Sequence, residues 1–327
     1  MNSKMNSPMK SPMNSPMNSP MKSSVNSPMN NSIMTINTPI KSLSPGTGIG
    51  WQAFEATRHN DLDELKKLLD DNPIDCISYE GKDGRSSFVE AAKCGYVKCL
   101  ELLINAGSDL RYQDDIGRTA AIWASYHGHD DCLKLIIEAS LKEWDTIVNV
   151  EDSEQFTALM WASNNGHHQC VDILLSNGAN IKAKRDDGLH SLMLSALNGH
   201  SLCVKKLLAV GSDIKAKDKK GNSAHALILA AEKADNDTIR LLLSANSDVR
   251  AKNIEGNNAL HIASASGHTQ ACGILLDHYI DINAKNLRGL PLITNHNTNT
   301  NTNTNTNKEI RLFILLLKRI MLVLLVY

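Results

Sequence analysis

A glycine returns along this chain at nearly constant intervals: Gly84, Gly117, Gly188, Gly221, Gly256 and Gly289, with Gln155 holding the same place once. The successive gaps are 33, 38, 33, 33, 35 and 33 residues. A fixed period of that length means one supersecondary unit stacked on itself. So small a unit cannot bury its apolar face alone, so neighbours must supply the core.

Two further landmarks keep step with the glycine. A mid-unit Gly-His pair recurs at Gly128-His129, Gly166-His167, Gly199-His200 and Gly267-His268, with Gly95-Tyr96 and Ala234-Asp235 in the same column. A closing motif ends the units, as Ile181-Lys-Ala-Lys184 and Ile214-Lys-Ala-Lys217. Between the landmarks the spacing predicts two short helices. The first carries small residues, Ala91-Ala92, Ala124-Ser125, Ala162-Ser163, Ala230-Ala231 and Ala263-Ser264, which let units stack closely. The mid-unit glycine ends it in a conformation that a Cβ disfavours. The second helix carries Ile136-Ile137, Leu174-Leu175, Leu207-Leu208, Leu242-Leu243 or Leu275-Leu276, both members of each pair being expected to face the core.

These residues resemble the ankyrin repeat, whose unit has 33 residues and a TPLHxA opening. Thr157-Ala-Leu-Met-Trp-Ala162 and Ala259-Leu-His-Ile-Ala263 match that opening best. The resemblance covers residues 48–293. It implies an all-α, right-handed solenoid of helix-turn-helix units with hairpin fingers. The units fall near 48–81, 82–113, 114–150, 151–184, 185–217, 218–252 and 253–285, with a partial copy at 286–293. The first is degenerate: Asn60-Asp61 stands where Gly-His stands elsewhere, and Asn tolerates a left-handed turn better than most residues. The third unit has five extra residues near Ala139–Ile147, presenting Trp144, and the sixth has two near Ser223–Ala226, where a looser finger is expected. The family implies an interaction scaffold, rarely a catalyst.

The ends read differently. Residues 1–47 repeat Ser-Pro at Ser7, Ser11, Ser15 and Ser19 and contain no apolar run. Such a sequence cannot bury enough surface to offset chain entropy, so a disordered arm is expected. It is a spacer or, at those four serines, a substrate for proline-directed kinases. Residues 294–307 are a low-complexity Asn/Thr linker. Residues 308–327 form a basic apolar tail, too interrupted by Lys318-Arg319 for a membrane span. The alternative function is therefore a membrane-tethered adaptor that uses this tail as an interfacial helix.

Charge narrows the partners. The chain carries −1 overall, with +4 in residues 1–50 and +3 in residues 308–327, which leaves −8 for the middle. An array with an acidic excess has no electrostatic footprint for nucleic acid. Cys99, Cys132, Cys170 and Cys203 share one column. Helices stacked about 8–10 Å apart are too distant for a disulfide or a shared zinc. The cysteines read as small half-buried apolar residues in a reducing, cytoplasmic setting, with a nuclear or peripheral-membrane location left open. There is no phosphate loop, HExxH or CxxC, and His167-His168 and His127-Gly-His129 lack a third ligand. No catalytic residue, cofactor or metal is expected, and the chain reads as a monomer.

In the family, the finger tips and the ends of the first helices meet the partner. By register those positions include Arg118, Phe156 and Leu189 at tips, and Tyr126 and Leu197 at helix ends. Tyr126, Phe156, Leu189 and Leu197 would form an apolar centre, with Arg118, Asp186 and Asp187 as its polar rim. The other reading, that Phe156 and Leu189 pack against neighbouring fingers, stays open.

Overall fold

The computed structural model describes residues 48–140, 147–218, 226–278, 280–281 and 284–288. The readings for the Ser-Pro arm with Ser7, Ser11, Ser15 and Ser19, for Trp144, for the insertion before Ala226, for the linker and for the tail lie outside the described residues.

Within them the chain is helical. Unit one holds α1 (Ile49–Arg58), α2 (Leu62–Asp71) and α3 (Pro73–Ser78). Then follow pairs: α4 (Ser87–Cys94) with α5 (Val97–Asn105), α6 (Ala120–His127) with α7 (Asp130–Ser140), α8 (Ala158–Asn165) with α9 (His168–Ser176). The last three are α10 (Ser191–Asn198) with α11 (Ser201–Ala209), α12 (Ala226–Lys233) with α13 (Asn236–Ser244), and α14 (Ala259–Ala265) with α15 (Thr269–Leu276). The extra α3 of unit one starts at Pro73, with Asn72 accepting from Asp75 N–H, a start signal that the repeat register does not contain.

The first helices begin on short polar side chains. Ser86, Thr119 and Thr157 each accept from the backbone N–H three residues on, at 3.3 Å. These helices form the more closely packed row, because Ala91, Ala124, Ala162, Ala230 and Ala263 are fully buried between them. The second helices form the looser row, so the array curves with the first helices inside. Leu103, Ile136, Leu174, Leu207, Leu242 and Leu275 fill the space between the rows. Burying each such side chain stabilises by about 2–3 kcal/mol. The expectation that both members of each leucine pair are buried is corrected at Leu175, Leu208 and Leu276. These lie partly exposed on the shoulder of their helices, while the preceding residue takes the core position.

Fingers close as tight turns rather than as strands. Asp114 N–H donates to Arg118 C=O at 3.1 Å, Asp152 N–H to Phe156 C=O at 3.0 Å, and Arg185 N–H to Leu189 C=O at 3.1 Å. Adjacent fingers join through a few hydrogen bonds, among them Ser153 N–H to Ile116 C=O at 3.1 Å. Gln155 and Asn60 occupy the left-handed region with φ of 64° and 54°, where their columns otherwise hold glycine.

The cysteine column is fully buried rather than half-buried. Burial raises Cys99 to about 11 and Cys132, Cys170 and Cys203 to about 12. Such thiols stay protonated and inert. All seven cysteines are unpaired.

Candidate protein-interaction surface

The inner face is stitched by the Gly-His column. His129 Nε2–H donates to Lys93 C=O at 3.1 Å, His167 Nε2–H to Tyr126 C=O at 3.1 Å, and His200 Nε2–H to Asn164 C=O at 3.0 Å. Each ring thus satisfies a carbonyl at the end of the preceding unit's first helix. Glycine in that preceding unit makes room for the ring: a Cβ on Gly166 would lie 2.6 Å from His200 Nδ1. The pair seen in sequence is therefore one joint across two units. Asn165 Nδ2–H adds a second bond to Tyr126 C=O at 2.8 Å, and Asn198 Nδ2–H reaches Asn164 Oδ1 at 3.0 Å.

On this stitched face the middle units carry a stack of rings and guanidinium groups. Trp123 on α6 and Trp161 on α8 hold the same repeat position. Each indole N–H donates to a buried aspartate nine residues earlier, Trp123 to Asp114 at 2.7 Å and Trp161 to Asp152 at 2.8 Å. The aspartates belong to the fingers, so each bond clamps a finger to its own helix. Arg118 sits between the two rings, its guanidinium carbon 4.7 Å from one centroid and 4.5 Å from the other. Its Nε–H donates to Asp152 at 3.1 Å. Cation–π contacts are worth about 2 kcal/mol when desolvated, so Arg118 ties unit three to unit four. Phe156 stacks on Trp161 at 4.0 Å, and Arg185 covers its other face at 4.3 Å. Tyr126 meets Trp161 edge-on at 4.8 Å, and His127 lies over Trp123 at 5.7 Å.

Two tip positions differ from the sequence expectation. Arg118 is 8% exposed and Phe156 is 5% exposed. Both point back onto the tryptophans rather than out to solvent, because a bare tip would leave two indole faces uncovered. Solvent reaches this region instead at Tyr126, half-buried, and His127, exposed, with Lys93 half-buried beside them. Burial, then the neighbouring His129 and Lys93, lowers the His127 pKa, which keeps the ring neutral near pH 7. Leu189 and Leu197 form a second patch one unit on, packed with Met193, Ala216 and Leu229. Leu189 also touches the main core. Asp187 pairs with Arg185 at 3.5 Å, and Asp186 meets Gln155 of the previous finger, so both acids brace fingers. Trp123, Trp161 and the two aspartates were missed from sequence. Their signal was the tryptophan column itself, with an aspartate nine residues before each.

Among the described residues no group of histidine, cysteine and carboxylate side chains is arranged to hold a metal ion. A family profile described as "Ankyrin repeats (3 copies)" matches residues 53–146, 88–185 and 192–286, more than half the chain. The search of curated proteins finds no match. Among solved structures, the crystal structure of the human ASB11 ankyrin repeat domain aligns with a TM-score of 0.60 and 23% identity. It covers 70% of this chain and 98% of that one, a likeness of fold.

Proposed function

The chain belongs to the ankyrin-repeat family, and from that premise we propose that it is a scaffold or adaptor that binds a partner protein on the inner face and finger tips of its middle units. Ankyrin repeats are protein-interaction modules and a non-enzymatic fold. One observation carries the choice of surface. Tyr126 and His127 stand at the edge of a ring stack that joins three neighbouring units. Among the described residues no other ring cluster spans more than one unit. Rigid aromatic anchors lose little entropy on binding and tend to lie at the centre of interfaces. The half-buried Leu189 and Leu197 extend the apolar surface, and the seven unpaired cysteines support a reducing, cytoplasmic setting. The membrane-tethered alternative draws on residues 308–327, and nothing among the described residues adds to it.

The experiment is capture of the partner from the native cell with the full chain, followed by affinity measurement on variants. Tyr126→Ala and His127→Ala should each weaken binding by about 2 kcal/mol. His127→Ala should leave the melting temperature in place. Lys134→Ala on exposed α7, the outer row, should do nothing. Loss of binding from Lys134→Ala alone would move the interface to the other face.

A further inference from the structure

One column of the fingers changes sign along the array. From unit one to unit seven it reads Glu80, Gln113, Glu151, Lys184, Lys217, Lys252 and Lys285. Lys182, Lys215 and Arg250 stand two residues before the first three of these lysines. All seven cations are exposed, and among the described residues none is held in an ion pair. Column neighbours lie side by side: Gln113 Nε2–H donates to Glu151 C=O at 3.2 Å, and Lys252 Nζ–H to Lys285 C=O at 3.1 Å.

The spacing is regular. Units stack at about 8–10 Å, so the lysines repeat at that interval. A polyproline-II segment rises about 3.1 Å per residue with three residues per turn, so one face shows a side chain about every 9 Å. We infer that the lysine column is a docking track for an extended acidic segment of a partner protein, one with an acidic side chain at every third residue. This deepens the scaffold reading and rests on it. The segment's acidic end lies over units four to seven, because Glu80 and Glu151 repel it further back.

Two further features fit this occupant. Arg250, Lys252 and Lys285 converge on an open cleft of about 680 Å³ that Asn258, Ile280 and Asp281 also line, three cations against one acid, with room for a carboxylate side chain. Beneath the column the buried His190 and His261 stay neutral, through burial first and then through the field of Lys184 and Lys252, so they add no competing charge. A nucleic acid would meet the same lysines, and charge alone does not separate it from an acidic peptide. Residues 185–288, however, contain one aromatic residue, Tyr279, where single-stranded nucleic acid needs rings for its bases.

The test uses the full chain and three fluorescent probes read by anisotropy: a peptide of four Glu-Pro-Pro triplets, a peptide of the same composition with its glutamates contiguous, and an oligothymidylate of twelve nucleotides. The triplet peptide should bind most tightly of the three. The double variant Lys217→Gln, Lys252→Gln keeps the apolar stems and removes two charges. It should weaken triplet binding about tenfold or more with helical content unchanged. His127→Ala should leave triplet binding as it was. Equal binding of the two peptides, tighter binding of the oligothymidylate, or an unaffected double variant would each overturn the track. If His127→Ala still loses the captured partner in that case, the scaffold reading stands without it.

Discussion

The joint between units four and five and the joint between units five and six occupy the same place in the repeat, but different residues make them. At the first, bare Gly166 leaves room for His200, whose Nε2–H donates across the boundary to Asn164 C=O. At the second, Asp235 replaces the histidine and turns to accept from Thr238 O–H within its own unit. Gly199 then faces no ring: its Cβ would lie 3.3 Å from the Lys233 stem and 3.5 Å from the Asp235 Cβ. In unit six the glycine itself has become Ala234, held in the left-handed region with φ of 62°. The difference teaches that the Gly-His signature belongs to a boundary rather than to a unit. The two halves can separate: at the next boundary His268 Nε2–H still donates to Glu232 C=O at 3.1 Å although Ala234 stands in the glycine's place. The Trp123–Arg118–Trp161 stack lies in units three and four, which have a complete Gly-His joint on both sides, so the best-jointed region coincides with the proposed binding surface.

The largest effect comes from breaking the well-made side of this comparison. Leu174 is fully buried between the rows, and Leu174→Asp would place an unpaired charge there at a cost of several kcal/mol. Circular dichroism should show lost helix and a much lower melting temperature. Leu175→Asp, on the shoulder, should cost less than half as much.

Acid should act next, through unit five, which takes part in both joints. Burial, with Lys184 nearby, lowers His190 to about 4 from the usual 6.5. The unfolded chain therefore binds the extra proton first. Stability is full above about pH 6.5 and falls as the pH drops towards 4, by about 3 kcal/mol in all. Urea titrations across that range should show the slope. His190→Asn keeps a helix cap and should flatten it.

The two joints can then be compared directly. Gly166→Ala drives a Cβ into His200 at a φ of 81° and should cost about 2–4 kcal/mol. Gly199→Ala meets the flexible Lys233 stem and, at ordinary contact distance, Asp235, at a φ of 75°, so it should cost about 1–2 kcal/mol, mostly left-handed strain. Equal losses in urea melts would mean that the ring does not define the joint. Smallest of all, Ala234→Gly relieves that strain in unit six and should stabilise by about 0.5–1 kcal/mol after the greater freedom of the unfolded chain is subtracted.

Much of this was legible in the sequence, because the requirements were local. A left-handed turn asks for Gly or Asn whatever surrounds it, which is why Gly95, Gly128 and Asn60 gave the register. Small residues on a first helix announce close stacking in the same way. What depended on a second unit could not be read. Arg118 looks like a solvent-facing tip until two tryptophans stand on either side of it, and Phe156 looks like an anchor until Trp161 offers it a face. Leu174 and Leu175 differ only in which of them the opposite row meets. The aspartate clamps were within reach, since Asp114 and Asp152 precede Trp123 and Trp161 by the same nine residues. That offset means contact only once the finger is known to fold back on its helix.

Hydrogen exchange of the full chain, free and with its captured partner, tests the central claim most directly. In the free protein α6 to α9 should exchange slowest and α12 to α13 markedly faster, following the two kinds of joint. On binding, the gain in protection should fall on residues 118–129 and 156–167, the tips and inner helix ends of units three and four. Free exchange that is slowest in α12 and α13, or protection gained on the outer helices α7 and α9 in place of the inner ends, would contradict the account.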